Sequence, residues 1–142
     1  MRATLLLDTH IALWLDSGDA SLKDQTRRKI DECWHAGGTL LLSAVSAWEI
    51  ALLADLSRVA LDLRAADWIA RFLNRPGFAP APLIPGSAAR AYHMKPFAHC
   101  DPADRLLMAT AMELHCPLVS YDRNIAHFAK RHGRRFGLAV IA

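Results

Sequence analysis

Four acidic residues stand where a folding chain seldom places charge. Asp8 follows Leu5-Leu6-Leu7, Glu49 comes shortly after Leu40-Leu41-Leu42, Asp104 stands just before Leu106-Leu107-Met108, and Asp122 follows Leu118-Val119-Ser120-Tyr121. Carboxylates gathered at the ends of core elements repel one another and are costly to desolvate. A bound divalent cation keeps such groups charged and close together. Hard divalent ions take carboxylate and water oxygens, so the pattern points to a metal site built from Asp8, Glu49, Asp104 and Asp122.

Each acid also has a plainer reading. Ser46-x-x-Glu49 has the form of a capping box, in which the glutamate only satisfies backbone N–H groups. Asp104 is the third residue after a cap at Asp101, a position the helix dipole favours. Asp122 fits a turn before a helix, whereas Asp8 ends a strand expected to be central and is hardest to explain away. Asp101 reads as a cap rather than a ligand. The hydroxyls of Thr9 and Ser120 suit either a bound water or core hydrogen bonding. Arg105 suits an acid partner or a phosphate.

The elements that must position these residues alternate. Strands are expected at 3–7, 39–44, 83–84, 117–120 and 136–141. Helices are expected at 11–15, from a cap at Ser21 to about Ala36, from Ser46, over 65–73, over 87–94, from Pro102 to about His115, and from Arg123 to a stop at Gly133. Lys95-Pro96-Phe97 reads as a loop. Short continuous apolar strands between helices predict an α/β fold, a small parallel sheet with helices on both faces. In such sheets, sites lie beyond the carboxyl ends of the strands, which is where Asp8 and Asp122 fall.

Composition narrows the class. The 142 residues suit one domain, 1–142, and 53% hydrophobic against 22% charged residues argues against global disorder. Apolar runs are far shorter than the ~20 residues that span a bilayer. Met1-Arg2-Ala3-Thr4 leads straight into a strand, a poor signal peptide. No membrane association and a cytoplasmic location are therefore expected. Cys33, Cys100 and Cys116 are odd in number and lack CxxC spacing, as for free thiols in a reducing compartment. The His99-Cys100 and His115-Cys116 pairs lack the spacing of a zinc site.

Net charge is +3 and the isoelectric point near 9.0, a mild basic bias compatible with a polyanionic substrate. Arg supplies 13 of the 17 basic residues. Lys130-Arg131-His132 with Arg134-Arg135 is the densest basic cluster, read first as a solvated helix end and second as an RNA-backbone contact. Trp14, Trp34, Trp48 and Trp68 read as core or interface aromatics.

The ordered motifs Leu6-Leu7-Asp8-Thr9-His10, Ser43-x-x-Ser46-x-Trp48-Glu49-Ile50, His99-x-Asp101-Pro102-x-Asp104-Arg105-Leu106-Leu107 and Val119-Ser120-x-Asp122 resemble the PIN-domain ribonucleases, specifically the VapC-type toxins of type II toxin–antitoxin pairs. The resemblance covers nearly the whole chain. Departures are Cys100 where a basic residue is frequent, Ala103 where an aromatic is frequent, and Leu53 where a lysine often follows the helix start.

The resemblance implies a PIN-like domain in which Asp8, Glu49, Asp104 and Asp122 hold one or two Mg²⁺ or Mn²⁺ ions. Asp8 and Asp104 would be the principal ligands. Such ions activate water and stabilise phosphodiester transition states without a protein nucleophile. It further implies endoribonuclease activity on a structured RNA such as tRNA or rRNA, 5′-phosphate and 3′-hydroxyl products, a cognate antitoxin, and a homodimer. A solitary PIN-domain nuclease in RNA processing is the nearest alternative. A phosphotransfer domain phosphorylated on Asp8 is less well matched, since His10 stands where a haloacid-dehalogenase-like phosphatase has a second Asp. A non-catalytic module of the same fold would be expected to lack some of the acids.

Overall fold

The computed structural model describes residues 2–94 and 101–142. The expected loop Lys95-Pro96-Phe97 and the residues His99 and Cys100 lie outside them. Five parallel strands form one sheet: β1 (Thr4–Leu7), β2 (Thr39–Ser43), β3 (Phe78–Ala81), β4 (Leu118–Val119) and β5 (Val140–Ile141), in the order β3-β2-β1-β4-β5. The connecting helices are α1 (Thr9–Ser17), α2 (Asp24–His35), α3 (Ala44–Asp55), α4 (Ala65–Leu73), α5 (Pro85–Tyr92), α6 (Pro102–Leu114) and α7 (Arg123–Phe136). Among the described residues no helix is long and apolar enough to cross a membrane.

Strand alternation divides the core in two, because successive side chains point to opposite faces. Leu6 packs with Leu107, Met108, Met112, Leu118, Ile125 and Phe128 under α5, α6 and α7. Leu5 and Leu7 pack with Leu40, Leu42, Ile11, Ile30, Trp68 and Phe72 under α1, α2 and α4. Both faces are covered, so from Leu5 to Leu7 the central strand is apolar and buried, and Asp8 is the first charge after it. Burying each such Leu contributes roughly 1.5–3 kcal/mol, which holds β1 in register with β2 and β4.

Four sequence expectations are corrected. The second helix begins at Asp24, not at a Ser21 cap: the Ser21 N–H donates to Asp19 Oδ1 at 2.8 Å, and the Lys23 N–H donates to Tyr121 Oη at 3.0 Å. Lys23 is thus the N-cap residue, held by a tertiary contact to Tyr121 and providing no side-chain cap. The third helix begins at Ala44 with Ser43 as its cap, Oγ accepting from the Val45 N–H at 3.0 Å. The strand expected at Leu83-Ile84 lies upstream at Phe78–Ala81. It includes Pro80 opposite Leu42, which is tolerated because β3 is an edge strand. Gly133 does not end α7 but sits inside it. A Cβ there would lie 2.6 Å from the Leu138 carbonyl oxygen, so glycine allows the chain to pack back closely, and Gly137, with φ +71°, forms the C-cap.

Candidate functional site

At the carboxyl edge of the sheet a cavity of about 450 Å³ is lined by Asp8, Glu49, Asp101, Asp104 and Asp122, with Thr9, His10, Trp14 and Tyr121 completing much of its wall. The topology explains the gathering. Asp8 is the residue after β1 and the N-cap of α1. Asp122 follows β4 and is the N-cap of α7. Asp101 is the N-cap of α6, whose first turn carries Asp104. Three helix N-termini therefore open on one cavity, and their dipoles favour the negative charge collected there.

Asp8 is the best anchored of the acids. Its Oδ1 accepts from the Thr9 N–H at 2.7 Å and its Oδ2 from the Ser120 hydroxyl at 2.6 Å. Burial raises its pKa above the usual carboxylate range, an effect that these two hydrogen bonds oppose. The Ser120 hydroxyl also accepts from the Asp122 N–H at 3.1 Å, and Asp122 Oδ1 accepts from the Ile125 N–H at 2.9 Å. One buried hydroxyl thus ties two acids to one strand end.

Glu49 is not a capping residue. Because α3 starts at Ala44, Ser46 is buried within the helix and Glu49 lies in its second turn, one turn beyond Ser46 on the same face. The Thr9 hydroxyl is within hydrogen-bond distance of both, 3.0 Å from Ser46 Oγ and 2.9 Å from Glu49 Oε1. Burial raises the Glu49 pKa, Asp8 and Asp101 push it the same way, and the Thr9 contact opposes them. The Thr9 and Ser120 hydroxyls both contact cavity acids, Glu49 and Asp8 respectively.

Asp104 feels the cluster most. Its pKa is raised to about 7, first by burial and then by Asp122, Asp8, Asp101 and Glu49. Asp101 was expected as a cap and is one, accepting from the Ala103 N–H at 2.8 Å, but it also lines the cavity as a fifth acid. Its position immediately before a Pro-started helix gave no hint of that. The rings of His10, Trp14 and Tyr121, with centroids 5.6 and 5.8 Å apart in sequence, were also not singled out for the site. Arg105 makes no ion pair among the described residues, and its buried Nε has no hydrogen-bond partner.

Among the described residues no group of three or more His, Cys, Asp or Glu side chains stands arranged to hold a metal ion. Several carboxylate oxygens instead accept local hydrogen bonds, from Thr9, Ser120, Ile125 and Ala103. The donor set is nonetheless all oxygen and shares one cavity, in which burial first and neighbouring acids second raise the pKa values of Asp8, Glu49 and Asp104. That chemistry fits a hard divalent cation, which relieves the repulsion.

The family model of the PIN domain matches residues 5–131. The chain is 32% identical over 131 residues to Ribonuclease VapC22 of Mycobacterium tuberculosis, covering 92% of this chain and 95% of that protein. Its fold is similar to VapBC2 from Rickettsia felis bound to a DNA fragment from its promoter, with a TM-score of 0.65 at 12% identity over 97% of each chain. It is also similar to a toxin–antitoxin complex from Klebsiella pneumoniae, with a TM-score of 0.60 at 16% identity over 95% of each chain.

Proposed function

This chain belongs to the PIN-domain family, and from that premise we propose that it is a metal-dependent endoribonuclease, the toxic member of a type II toxin–antitoxin pair. The observation that carries the reading is the convergence of Asp8, Glu49, Asp104 and Asp122 on one cavity at the carboxyl edge of a parallel sheet. The similarity to Ribonuclease VapC22 over most of both chains supports the same reading.

In this proposal Asp8, Glu49, Asp104 and Asp122 hold Mg²⁺ or Mn²⁺. The ion, when bound, supplies Lewis-acid activation of water and stabilisation of charge on the phosphodiester. The chain's own residues do the rest. Ser120 holds Asp8 in one orientation through Oδ2. Thr9 holds Glu49 through Oε1, leaving Oε2 to reach the ion directly or through the water it orients. The N-termini of α1, α6 and α7 stabilise the carboxylates before RNA arrives.

The RNA substrate is a tRNA or rRNA, cut to 5′-phosphate and 3′-hydroxyl ends in the cytoplasm. A cognate antitoxin neutralises the enzyme, and an antitoxin arginine entering the acidic cavity is the electrostatically favoured way to block it. A homodimer is supported by the exposed apolar face of α3, where Trp48 is 63% exposed.

Purified protein with Mn²⁺ is expected to cleave tRNA or rRNA, and Asp8→Asn to abolish cleavage while keeping the wild-type circular dichroism spectrum. Intact RNA in every metal-loaded reaction would refute the ribonuclease reading.

A further inference from the structure

Helix α7 carries its charge on one side. Ile125 and Phe128 are buried, and His132 and Phe136 half-buried, along the side facing the sheet. With 3.6 residues per turn, Arg123, His127, Lys130, Arg131 and Arg134 fall within an arc of roughly 100° on the opposite side. All five are exposed. No Asp or Glu occurs anywhere in the helix, and among the described residues none of these five side chains forms an ion pair.

Helix stability does not account for this pattern. Arg134 and Arg135 in the last turn suit the dipole, but Arg123 occupies the first helical position, at the positive end. Lys130 with Arg134, and Arg131 with Arg135, are like charges four residues apart, which repel. The arrangement makes sense for a polyanion lying along the helix.

The stripe also begins at the site. Asp122 lines the acidic cavity and caps α7, and Arg123 is the next residue. From Arg123 to Arg134 the helix axis advances about 16 Å away from that cavity. A pocket of five acids repels a nucleic acid unless cations alongside it hold the backbone. We infer that the Arg123–Lys130–Arg134 face of α7 binds the sugar-phosphate backbone of the single-stranded RNA segment leaving the cavity. This rests on the ribonuclease reading above. Arginines suit it, since each guanidinium can take a phosphate in a bidentate grip.

The test measures RNA binding without cleavage. Full-length Asp8→Asn protein is titrated against a short labelled single-stranded RNA by fluorescence anisotropy over a range of NaCl concentrations. Arg123→Gln, Lys130→Gln and Arg134→Gln are added singly and together. Each is expected to reduce the slope of log K against log salt by about 0.7, and the triple variant by about 2. Arg28→Gln, on α2 across the sheet, removes the same charge and is expected to leave the slope unchanged. Equal melting temperatures identify the effect as local, since all these side chains are exposed.

A triple variant with the parent's slope and affinity overturns the inference, as does an Arg28→Gln effect of equal size. A triple variant that binds RNA like its parent but loses its antitoxin assigns the stripe to a protein partner and likewise overturns it. Failure of the wild-type enzyme to cut any RNA strikes the ribonuclease reading instead, because binding is scored independently.

Discussion

The Ser120 hydroxyl donates to Asp8 Oδ2 at 2.6 Å, joining the ends of adjacent strands across 112 residues of sequence. Ser120 is 1% exposed, so its hydroxyl has no water to fall back on. It meets a carboxylate whose pKa burial raises, and it accepts from the backbone N–H of a second cavity acid, Asp122.

Ser120→Ala removes that donor and leaves Asp8 and the Asp122 N–H without it. A hydrogen bond to a charged group contributes about 1.5–3 kcal/mol, so a loss of about 2 kcal/mol in urea unfolding at neutral pH is expected. Groups that orient metal ligands typically matter by about 10–100-fold, and RNA cleavage should fall on that scale. Wild-type stability in this variant would show that the contact does not orient Asp8.

Asp104 makes the metal-free protein sensitive to pH. Its pKa in the fold, about 7, lies above the ordinary 3.8, so the folded state keeps a proton that the unfolded chain releases. Stability from this group is complete below the unfolded value and is lost as pH rises through about 7. Thermal denaturation in EDTA should therefore show wild-type protein losing stability between about pH 4 and 7. Asp104→Asn should flatten that decline and melt higher than wild type at neutral pH. Mn²⁺ should raise the wild-type melting temperature and the Asn variant's much less. Parallel pH profiles for the two proteins would contradict the repulsion described.

Trp48 presents an apolar face that the fold leaves open. It is 63% exposed, Leu52 on the same helix and Leu56 at its C-cap are 39% and 50% exposed, and an adjoining cavity of about 490 Å³ is walled by Val45, Trp48, Leu83, Pro102 and Leu106. Contiguous exposed apolar surface of this kind marks association sites. Trp48→Asp should convert a dimer into a folded monomer in sedimentation velocity, with little change in monomer stability because the side chain is exposed. An unchanged dimer would place the interface elsewhere.

Much of the fold was legible locally. Leu5-Leu6-Leu7 and Leu40-Leu41-Leu42 read as strands buried on both faces, and β1 and β2 are those strands. The helix over 65–73 and the Asp101-Pro102 start of α6 also stand as read, because apolar period and cap chemistry are properties of a few neighbouring residues. Errors came where tertiary contacts overrode a local signal. Ser46 read as the cap of the third helix, but β2 ends with the pairing of Ser43 and Ala81, and Ser43 is the cap. Gly133 looked like a helix stop until the approach of Leu138 explained it.

The sequence by itself determined the alternation of strands and helices and the presence of acids beside core runs, because periodicity and residue type are local. Only the tertiary structure decided what those acids do to one another. Thr9 meets Glu49 across 40 residues and Ser120 meets Asp8 across 112. Asp101 joins the cavity because α6 begins beside α1 and α7. A polar group's partner, and the burial that shifts its pKa, depend on which elements the sheet order brings together, and no window of neighbouring residues contains that information.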